Sequence, residues 1–389
     1  MPPELPTTLA GSAPWLLVSA AFVKTGGQDR ANFALASYLA RHGHDVHLVA
    51  HRTGGDIGPT ANIVCHAAPR PLQSDLLGEP FLQWLGSYWA RRLRTCHPRV
   101  VVNGGNCDWP DVNWVHYVHA AYDRTVEGGA VRRARMRFAH RRWVRDERHA
   151  LERARIIVAN SKRTRDDLVE RVGVPAERIR VIYYGIDAAQ FRPPIEGERA
   201  ATRAAIGWPT DRPIALFIGA LGDRRKGLDT LLRAWQLVER STSDPLLVVI
   251  GHGAMRAELQ RQAVDAGINR SVTFLGFRDD VPQLVRAADM LIAPTRYEAY
   301  GLGVHEALCC GLPAIVSAQA GVAERYPAEL KALLLPDADD AEDLAHRVEM
   351  CLTSRATMAV PMATFAAALR ARSWDDMAAD LVAAVSAAT

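Results

Sequence analysis

The chain has 389 residues, of which 49% are hydrophobic and 23% charged, and its formal net charge is +4. This length predicts two domains, because a single hydrophobic core rarely grows beyond about 250–300 residues. The composition is typical of an ordered globular protein, and no run approaches the roughly 18–20 apolar residues that span a bilayer. The six cysteines form neither a CxxC pair nor a His-spaced metal pattern, which favours a reduced, cytoplasmic protein.

The first half of the chain alternates short apolar runs with longer amphipathic ones. "APWLLVSAAFV" is predicted to contain a first β-strand; a signal peptide is the alternative, but Glu4 rather than a basic cluster precedes it. A helix is predicted over "ANFALASYLARHG", where Leu35 and Leu39 share one face and Gly43 marks the end. Further strands are predicted in "DVHLVA", "RVVVN", "RIIVAN" and "IRVIYY". This alternation predicts a parallel sheet covered on both faces.

The segment from Arg124 to Arg155 carries much of the positive charge. It contains eleven arginines and four acidic residues, an excess of seven positive charges, so the remainder of the chain is slightly acidic. A solvated helix face explains this pattern equally well as attraction to an anionic membrane or a phosphate-bearing acceptor. Nucleic acid is the weaker hypothesis, because the segment belongs to no recognisable nucleic-acid module.

A second alternating pattern begins after Pro193-Pro194, which can continue neither a helix nor a central strand and is predicted to be the linker. The strands of this half are predicted in "RPIALFIGA", "PLLVVIGHG", "SVTFLGF", "DMLIAPT", "LPAIVSA" and "ALLLPD". We therefore predict an α/β protein with two doubly wound, Rossmann-like domains facing a cleft, over residues 1–194 and 195–373, with a C-terminal helix near 374–389 packing back on the first domain. Ligands of such sheets bind at the carboxyl ends of the strands.

The stretch "TRYEAYGLGVHEALCCGLP" places two glutamates around a predicted helix start. The helix is expected from near Leu302 to Gly311, and Gly301 and Gly303 leave the backbone bare where it begins. A helix N-terminus offers N–H groups and about half a positive charge to a diphosphate. Glu298 and Glu306 flank this point, and carboxylates accept hydrogen bonds from paired hydroxyls. The pattern predicts a nucleotide-sugar site, whereas two glutamates without a ligand are the simpler alternative.

The spacing Glu298-x7-Glu306 within "RYEAYGLGVHEALCCGLPAIVSA" resembles the EX7E signature of family GT4 glycosyltransferases. The resemblance extends over nearly the whole chain. It implies the GT-B fold, an N-terminal acceptor-binding domain, a C-terminal donor-binding domain and a retaining, metal-independent transfer. "TGGQDRANFALASYLARHGHDVHLV" is similar to the family's glycine-rich first loop, in which Gly26 and Gly27 let the backbone approach the donor or the acceptor.

"FIGALGDRRKGLDTLLRAW" is similar to the family's strand, loop and helix with a basic pair and KG. The resemblance implies that Lys226 neutralises the diphosphate and stabilises charge on the leaving nucleotide. The family commonly has an Arg where this chain has Ala220, and either Arg224 or Arg225 could supply the missing guanidinium. A solvated basic turn remains the alternative.

Further elements of the family are recognisable in "VTFLGFRDDVPQLVRAADMLIAPTRYE" and "NWVHYVHAAY". In the first, Phe277 and Arg278 are expected where the nucleobase packs. In the second, the family places a histidine near the transferred sugar, and the alignment favours His119 over His116 as that residue. The donor-binding residues that the resemblance implies are Gly26, Gly27, Arg225, Lys226, Phe277, Glu298, Tyr300, Gly301, Leu302, Gly303 and Glu306.

The resemblance implies a catalytic set of Glu298, His119 and Lys226, with a nucleotide-diphosphate sugar as donor and no metal or other cofactor. A UDP-sugar is the first expectation for the donor and GDP-mannose the second. The acceptor is expected to be a glycan or a lipid-linked molecule of cell-envelope or exopolysaccharide synthesis. The arginine-rich segment is expected to make peripheral contact with an anionic membrane. The string Asp337-x-Asp339 is interpreted as surface, away from these motifs.

Three other protein classes fit the sequence less well. A dinucleotide-dependent oxidoreductase lacks the third glycine after Gly251 and Gly253, and a P-loop nucleotidase would need GK[ST] where this chain has KG. A binding or regulatory protein that kept the fold and lost catalysis is favoured only by Ala220 and Ala299, which replace residues common in the family.

Overall fold

The structure is a computed structural model that describes residues 13–57, 62–122, 129–241 and 244–387. The chain divides into two compact units. Within the described residues, unit 1 is built from residues up to 122, from 130–185 and from 374–387, and unit 2 is built from Gly129 and residues 186–373. The predicted α/β class with two parallel-sheet domains is confirmed.

Unit 1 contains a seven-stranded parallel sheet in the order β5-β3-β1-β6-β7-β8-β9, and a small parallel pair, β2-β4. The sheet centre is almost fully buried because β1, β3, β6, β7 and β8 consist mainly of valine, isoleucine, leucine and tryptophan. The strands are β1 Trp15–Val18, β2 Ala21–Phe22, β3 Val46–Ala50, β4 Arg52–Thr53, β5 Ile63–Ala67, β6 Arg99–Val102, β7 Val112–Val115, β8 Ile156–Ala159 and β9 Ile179–Val181.

The helices of unit 1 cover the faces of this sheet. They are α1 Gly27–Arg41, α2 Asp75–Arg92, α3 Ala130–Arg153 and α4 Lys162–Asp167, which continues into a π-helical turn at Leu168–Val172. The chain returns to unit 1 at its end, where α12 (Trp374–Ala387) packs against α1. Arg41 on α1 donates to both carboxylate oxygens of Asp375, at 2.9 and 2.6 Å, at this contact.

Unit 2 contains a six-stranded parallel sheet in the order β12-β11-β10-β13-β14-β15. Its strands are β10 Ile214–Ile218, β11 Leu246–Ile250, β12 Val272–Gly276, β13 Met290–Ala293, β14 Ala314–Ser317 and β15 Leu334–Leu335. Its helices are α5 Glu198–Ile206, α6 Leu228–Ser241, α7 Arg256–Asp265, α8 Val281–Ala287, α9 Leu302–Cys309, α10 Ala341–Thr353 and α11 Arg355–Arg370. The central strand β10 is the switch point, with β11 on one side and β13 on the other.

The boundary between the units lies between Gly185 and Ile186, ahead of the linker predicted at Pro193-Pro194. The residues in between belong to unit 2 because Phe191 is 2% exposed within its core. Arg192 also pairs with Glu198 at 2.7 Å, which attaches the diproline to the first helix of unit 2. Diproline therefore breaks the regular structure here without separating the two cores.

None of the helices in the described part of the chain combines the length and hydropathy that a membrane crossing requires.

Candidate functional site: an ion pair at a helix N-terminus, and a polar cavity

The N-terminus of α9 lies at the carboxyl end of β13 in unit 2. Gly301 caps the helix in a left-handed conformation, with φ of 104°, which an L-residue with a side chain rarely adopts. A Cβ on Gly301 would also lie 3.0 Å from Val322 Cγ1 and 3.3 Å from Glu298 Cγ. A Cβ on Gly303, one residue into the helix, would meet nothing within 4 Å, so there is open space beside the backbone there. This geometry leaves room for an anion at the helix N-terminus.

Glu298 stands next to this helix start and pairs with Lys226 and Arg225. Lys226 Nζ donates to Glu298 Oε2 in a short ion pair, and Arg225 Nη1 lies 3.9 Å from the same oxygen. All three side chains are largely buried, with 16–19% of each exposed. Of the two arginines that the sequence analysis left open, the structure brings Arg225 to Glu298, whereas Arg224 lies near Asp229 and Glu258.

The loop that carries Lys226 is held in place by specific backbone contacts. Residues Arg224–Lys226 form a 3-10 turn, which Asp223 caps by accepting a hydrogen bond from Arg225 N at 3.0 Å. The turn ends at Gly227, where φ is +70° and a Cβ would lie 1.8 Å from the carbonyl oxygen of Pro294. The KG pair of the sequence is thus a packing requirement, because only glycine lets the loop lie against the end of β13.

The charges of the pair influence each other's titration. Burial lowers the pKa of Lys226, and the neighbouring carboxylate of Glu298 only partly offsets that effect. Burial alone would raise the pKa of Glu298, but the positive charges of Lys226 and Arg225 outweigh it, so that the pKa is lowered overall. Glu298 is therefore held as a carboxylate at neutral pH.

Arg296 connects the end of β13 to the Lys226 loop. Its guanidinium donates to Asp229 Oδ1 at 2.8 Å, to Asp339 Oδ1 at 2.9 Å and to the carbonyl oxygen of Arg224. The Asp339 side chain is 59% exposed and lies at the surface, as expected. It is nevertheless close to the predicted site, because it pairs with Arg296, two positions before Glu298. No local sequence pattern predicts this contact, because the two residues are 43 positions apart in the chain.

The other predicted donor-site residues of unit 2 lie at the start of α9 and just after β12. Glu306 is 8% exposed on the first turns of α9, and Leu302 is half-buried at its start. Tyr300 is buried, and its hydroxyl lies 2.5 Å from His305 Nδ1, so its side chain is used inside the unit. Phe277 is 65% exposed beyond β12, with its ring edge-on to that of His252, a residue that the sequence analysis did not single out.

The predicted residues of unit 1 lie at the carboxyl ends of its strands. Gly26 caps α1 with φ of 80°, and Gly27 is the first residue of that helix. A polar cavity of about 160 Å³ is lined by both candidate histidines, His116 and His119, and by Gln28 beside the glycines. The structure thus brings the two histidines to one cavity, together with the residue that follows Gly26 and Gly27 in the chain.

Residues that sequence reasoning missed complete this cavity. Glu147 on α3 is 1% exposed and accepts hydrogen bonds from His119 N (3.0 Å) and Ala120 N (3.4 Å), which fixes the turn after β7. Burial raises the pKa of Glu147 to about 7, despite those two donors. Gly105 also lines the cavity, and a Cβ there would lie 2.6 Å from Glu147 N. The string "NGGN" directly after a predicted strand was the signal that could have indicated this site.

The described residues include no cluster of three or more His, Cys, Asp or Glu side chains that could hold a metal ion.

The arrangement in unit 2, a helix N-terminus with a basic loop and a carboxylate at the carboxyl edge of a parallel sheet, is typical of nucleotide-binding α/β proteins. Two family models match in succession: Glycosyltransferase Family 4 matches residues 25–190, and Glycosyl transferases group 1 matches residues 198–364. Together they account for most of the chain, which belongs to the group 1 glycosyltransferases of family 4.

Curated relatives agree with this assignment. The chain is 30% identical over 49% of its length to a D-inositol 3-phosphate glycosyltransferase of Jonesia denitrificans, of which the match covers 47%. It is 26% identical over 94% of its length to the protein of the same name from Xylanimonas cellulosilytica, of which the match covers 92%. The chain spans only about half of the length of several other curated relatives that it matches.

Solved structures show the same fold. A sucrose-phosphate synthase from Thermosynechococcus elongatus superposes with a TM-score of 0.74 at 22% identity, covering 97% of this chain and 100% of that one. The Anabaena protein HepE, solved in complex with UDP and glucose, gives 0.72 at 18% identity, with 97% and 100% covered. The fold is therefore the GT-B fold that the motifs predicted.

Proposed function

We propose that this chain is a retaining glycosyltransferase that moves a hexose-type sugar from a nucleotide-diphosphate donor to an acceptor hydroxyl. A UDP-sugar is the first candidate donor and GDP-mannose the second. The observation that carries the proposal is the Lys226–Glu298 pair beside the open N-terminus of α9. The HepE structure with UDP and glucose supports UDP as the first donor to test.

In the proposed reaction the bond between the sugar's anomeric carbon and the diphosphate oxygen breaks, and a bond from the acceptor oxygen forms on the same face. The proton of the acceptor hydroxyl passes to the departing phosphate oxygen, so no separate strong base is needed. Negative charge grows on the diphosphate during this step. Lys226, Arg225 and the N–H groups at the start of α9 stabilise that charge.

Three protein residues act on the sugar and the ribose in this proposal. The Glu298 carboxylate, held ionised by Lys226 and Arg225, orients sugar hydroxyls and stabilises positive charge at the anomeric carbon. Glu306, on the inner turns of α9, accepts hydrogen bonds from the ribose hydroxyls. His119 positions the sugar from unit 1. Because positively charged side chains and helix N–H donors can stabilise the diphosphate, we propose that no metal is required.

Thermal unfolding in the presence of EDTA tests the donor site. UDP-, GDP- and ADP-sugars are added to the purified chain at concentrations far above their dissociation constants, where a ligand at 100 times its constant stabilises by about 2.7 kcal/mol. We expect one nucleotide series to raise the melting temperature and the Glu306→Ala variant to lose that rise. Glu329→Ala, an exposed glutamate outside the site, is the matched control and should keep it.

If no nucleotide-sugar raises the melting temperature of the wild-type chain, the donor assignment fails. If a nucleotide-sugar binds but is neither transferred nor hydrolysed with any acceptor, the chain is a binding protein and the proposed catalysis fails.

We further propose that α3 brings the enzyme to an anionic membrane carrying its acceptor. Arg133, Arg137, Arg141 and Arg145 follow one another at four-residue spacing along one exposed face of α3, and Phe138, 67% exposed, lies among them. Like charges at this spacing repel each other along a helix, and an anionic surface would relieve that repulsion. Residues 124–128 of the arginine-rich segment lie outside the described residues.

Co-sedimentation with vesicles tests this contact. The chain should pellet with vesicles containing phosphatidylserine or phosphatidylglycerol at low salt and be released by salt. The charge-reversed variant Arg137→Glu/Arg141→Glu should stay in solution, whereas Arg261→Glu/Arg270→Glu, which changes the same charge on exposed arginines of unit 2, should still pellet. Equal pelleting of the two variants would contradict a role for α3.

A further inference from the structure

Two exposed aromatic rings lie side by side in unit 2, at the carboxyl ends of β11 and β12. Phe277, directly after β12, is 65% exposed, and His252, which follows β11, is exposed as well. The ring centroids are 6.0 Å apart and the ring planes meet at 79°, which is an edge-to-face contact. This contact orients the two rings against each other and leaves both accessible to a ligand.

Backbone hydrogen bonds tie both rings to the loop that carries Lys226. Leu221 N, in that loop, donates to the carbonyl oxygen of His252 at 2.9 Å. Gly251 N donates to the carbonyl oxygen of Gly276, the last residue of β12, at 2.8 Å. The three loops that follow β10, β11 and β12 are therefore joined to one another at the same end of the sheet.

The glycines on either side of His252 make this close packing possible. A Cβ on Gly251 would lie 1.8 Å from the carbonyl oxygen of Gly219, and a Cβ on Gly253 would lie 2.1 Å from the carbonyl carbon of Leu221. Both distances are far inside van der Waals contact, so only glycine fits at either position. The Gly-His-Gly sequence, which does not match a dinucleotide-binding motif, thus presents one histidine from a tightly packed loop.

The two rings offer a ligand different contacts. Among the described residues, no group bonds to either ring nitrogen of His252. An imidazole supplies one donor and one acceptor, or two donors when it is protonated, whereas Phe277 supplies an apolar face alone. A planar ligand stacked on the Phe277 ring would lie nearly perpendicular to the imidazole, which favours a polar contact with the ligand's edge over a second stacking contact.

The position of the ring pair suits the base of a nucleotide whose diphosphate lies at the start of α9. In the sheet, β11 and β10 separate β12 from β13, so three strand spacings lie between the ring pair and that helix start. At about 4.8 Å for each spacing this is about 14 Å. An extended nucleoside diphosphate spans such a distance with its base at one end and its phosphates at the other, along the carboxyl ends where doubly wound sheets bind ligands.

We propose that His252 is a specificity-determining residue of the donor site, where Phe277 stacks on the face of the donor's nucleobase and a ring nitrogen of His252 hydrogen-bonds to its edge. This inference rests on the proposed function, because it concerns the donor of the same enzyme. The family resemblance led us to expect Phe277 and Arg278 near the base, but not His252. Arg278 is engaged by Asp280, to which its Nε atom donates at 2.7 Å within a two-pronged ion pair. His252 is therefore better placed than Arg278 to distinguish one base from another.

The test compares the binding of UDP, GDP and ADP by calorimetry, so that it depends on neither transfer nor an acceptor. The wild type should bind one of the three most tightly. His252→Phe, which keeps an aromatic ring but loses both nitrogens, should weaken that nucleotide about tenfold and the other two less than about twofold, so that the preference shrinks. Phe277→Leu should weaken all three by a similar factor of about ten, because stacking tolerates any base.

Matched controls separate the base contact from the phosphate contacts and from folding. Both substituted side chains are exposed, so neither change removes core packing. His346→Phe on α10 and Phe138→Leu on α3 make the same chemical changes at other exposed positions and should bind all three nucleotides like the wild type. Inorganic pyrophosphate, which has no base, should bind His252→Phe and Phe277→Leu as it binds the wild type. His252→Asn, which retains a donor and an acceptor, should recover part of the preference.

Three results would overturn the inference: unchanged relative affinities for the three nucleotides in His252→Phe, unchanged nucleotide binding by Phe277→Leu, or an equal loss of nucleotide and pyrophosphate binding in either variant. In each of these cases the wild type still binds a nucleotide, so the proposed function stands. If the wild type binds none of the three nucleotides, the donor assignment and this inference fail together.

Discussion

Replacing Lys226 by methionine removes the positive partner of a mostly buried carboxylate. Two unit charges about 4 Å apart attract each other by roughly 4 kcal/mol at an effective dielectric constant of 20, and the cost of burying them offsets part of this. Lys226 and Glu298 are 19% and 16% exposed, so water screens the pair only partly. Arg225, at 3.9 Å, stays as a weaker counter-charge. We therefore expect the variant to lose about 1–3 kcal/mol of unfolding free energy, less than a fully buried pair would lose.

A double-mutant cycle isolates the pair from other effects. Urea unfolding at pH 7 is measured for Lys226→Met, Glu298→Gln and the double variant, and we expect a coupling energy of about 1–2 kcal/mol. Lys331→Met, an exposed lysine of the same unit, should change stability by less than about 0.5 kcal/mol. A coupling energy indistinguishable from zero would refute the conclusion that this pair is a significant charge interaction.

The pH dependence supplies a second readout on the same variant. The lowered pKa of Glu298 contributes stability that is present above its unfolded value of about 4.5 and is lost as the pH falls through the folded value. Without Lys226, burial pushes that pKa upwards instead. The stability gap between wild type and Lys226→Met should therefore narrow as the pH falls from 7 to 4, and a gap independent of pH would contradict the argument.

Three further predictions concern other residues. Gly227→Ala should lower both the melting temperature and the donor-induced shift, because its Cβ would lie 1.8 Å from the Pro294 carbonyl oxygen; a normal shift would show that the loop tolerates the change. Arg296→Met should cost about 1–3 kcal/mol in urea unfolding, since it removes the guanidinium 2.8 Å from Asp229 and leaves only Arg224, at 3.8 Å, as counter-charge; a loss below 0.5 kcal/mol would count against this. Glu147 retains its proton up to about pH 7 in the folded chain but only up to about pH 4.5 in the unfolded chain, so its contribution to stability falls as the pH rises between those values. The melting temperature of Glu147→Gln should therefore fall less than that of the wild type from pH 5 to 8. An equal fall in both proteins would contradict the raised pKa of Glu147.

The sequence predicted the second unit better than the first. All six of its strands were expected, because each is a short buried run bounded by turn residues. In unit 1, the edge strand β5 was missed because its residues are only partly buried and lack the continuous apolar run of a central strand. The linker predicted at Pro193-Pro194 lies further along the chain than the boundary between Gly185 and Ile186, because diproline marks a break in regular backbone geometry and not the end of a hydrophobic core.

The sequence predicted the members of the site better than their contacts. The start of α9 was expected near Leu302 because glycines precede an apolar helical run, and the structure begins it there. The choice between Arg224 and Arg225 could not be made, since it depends on how a 3-10 turn presents neighbouring side chains. The support that Glu147 gives to His119 joins segments 28 residues apart and left no local pattern.

The most direct test of the central claim is an NMR time course of sugar transfer with EDTA present. The nucleotide-sugar that raises the melting temperature is incubated with the chain and a neutral hydroxylated acceptor, and the anomeric signal of the product is recorded. We expect a glycoside with the donor's anomeric configuration, formed by the wild type and the Glu329→Ala control and strongly reduced in Lys226→Met. A product of inverted configuration, or equal turnover by Lys226→Met, would contradict it.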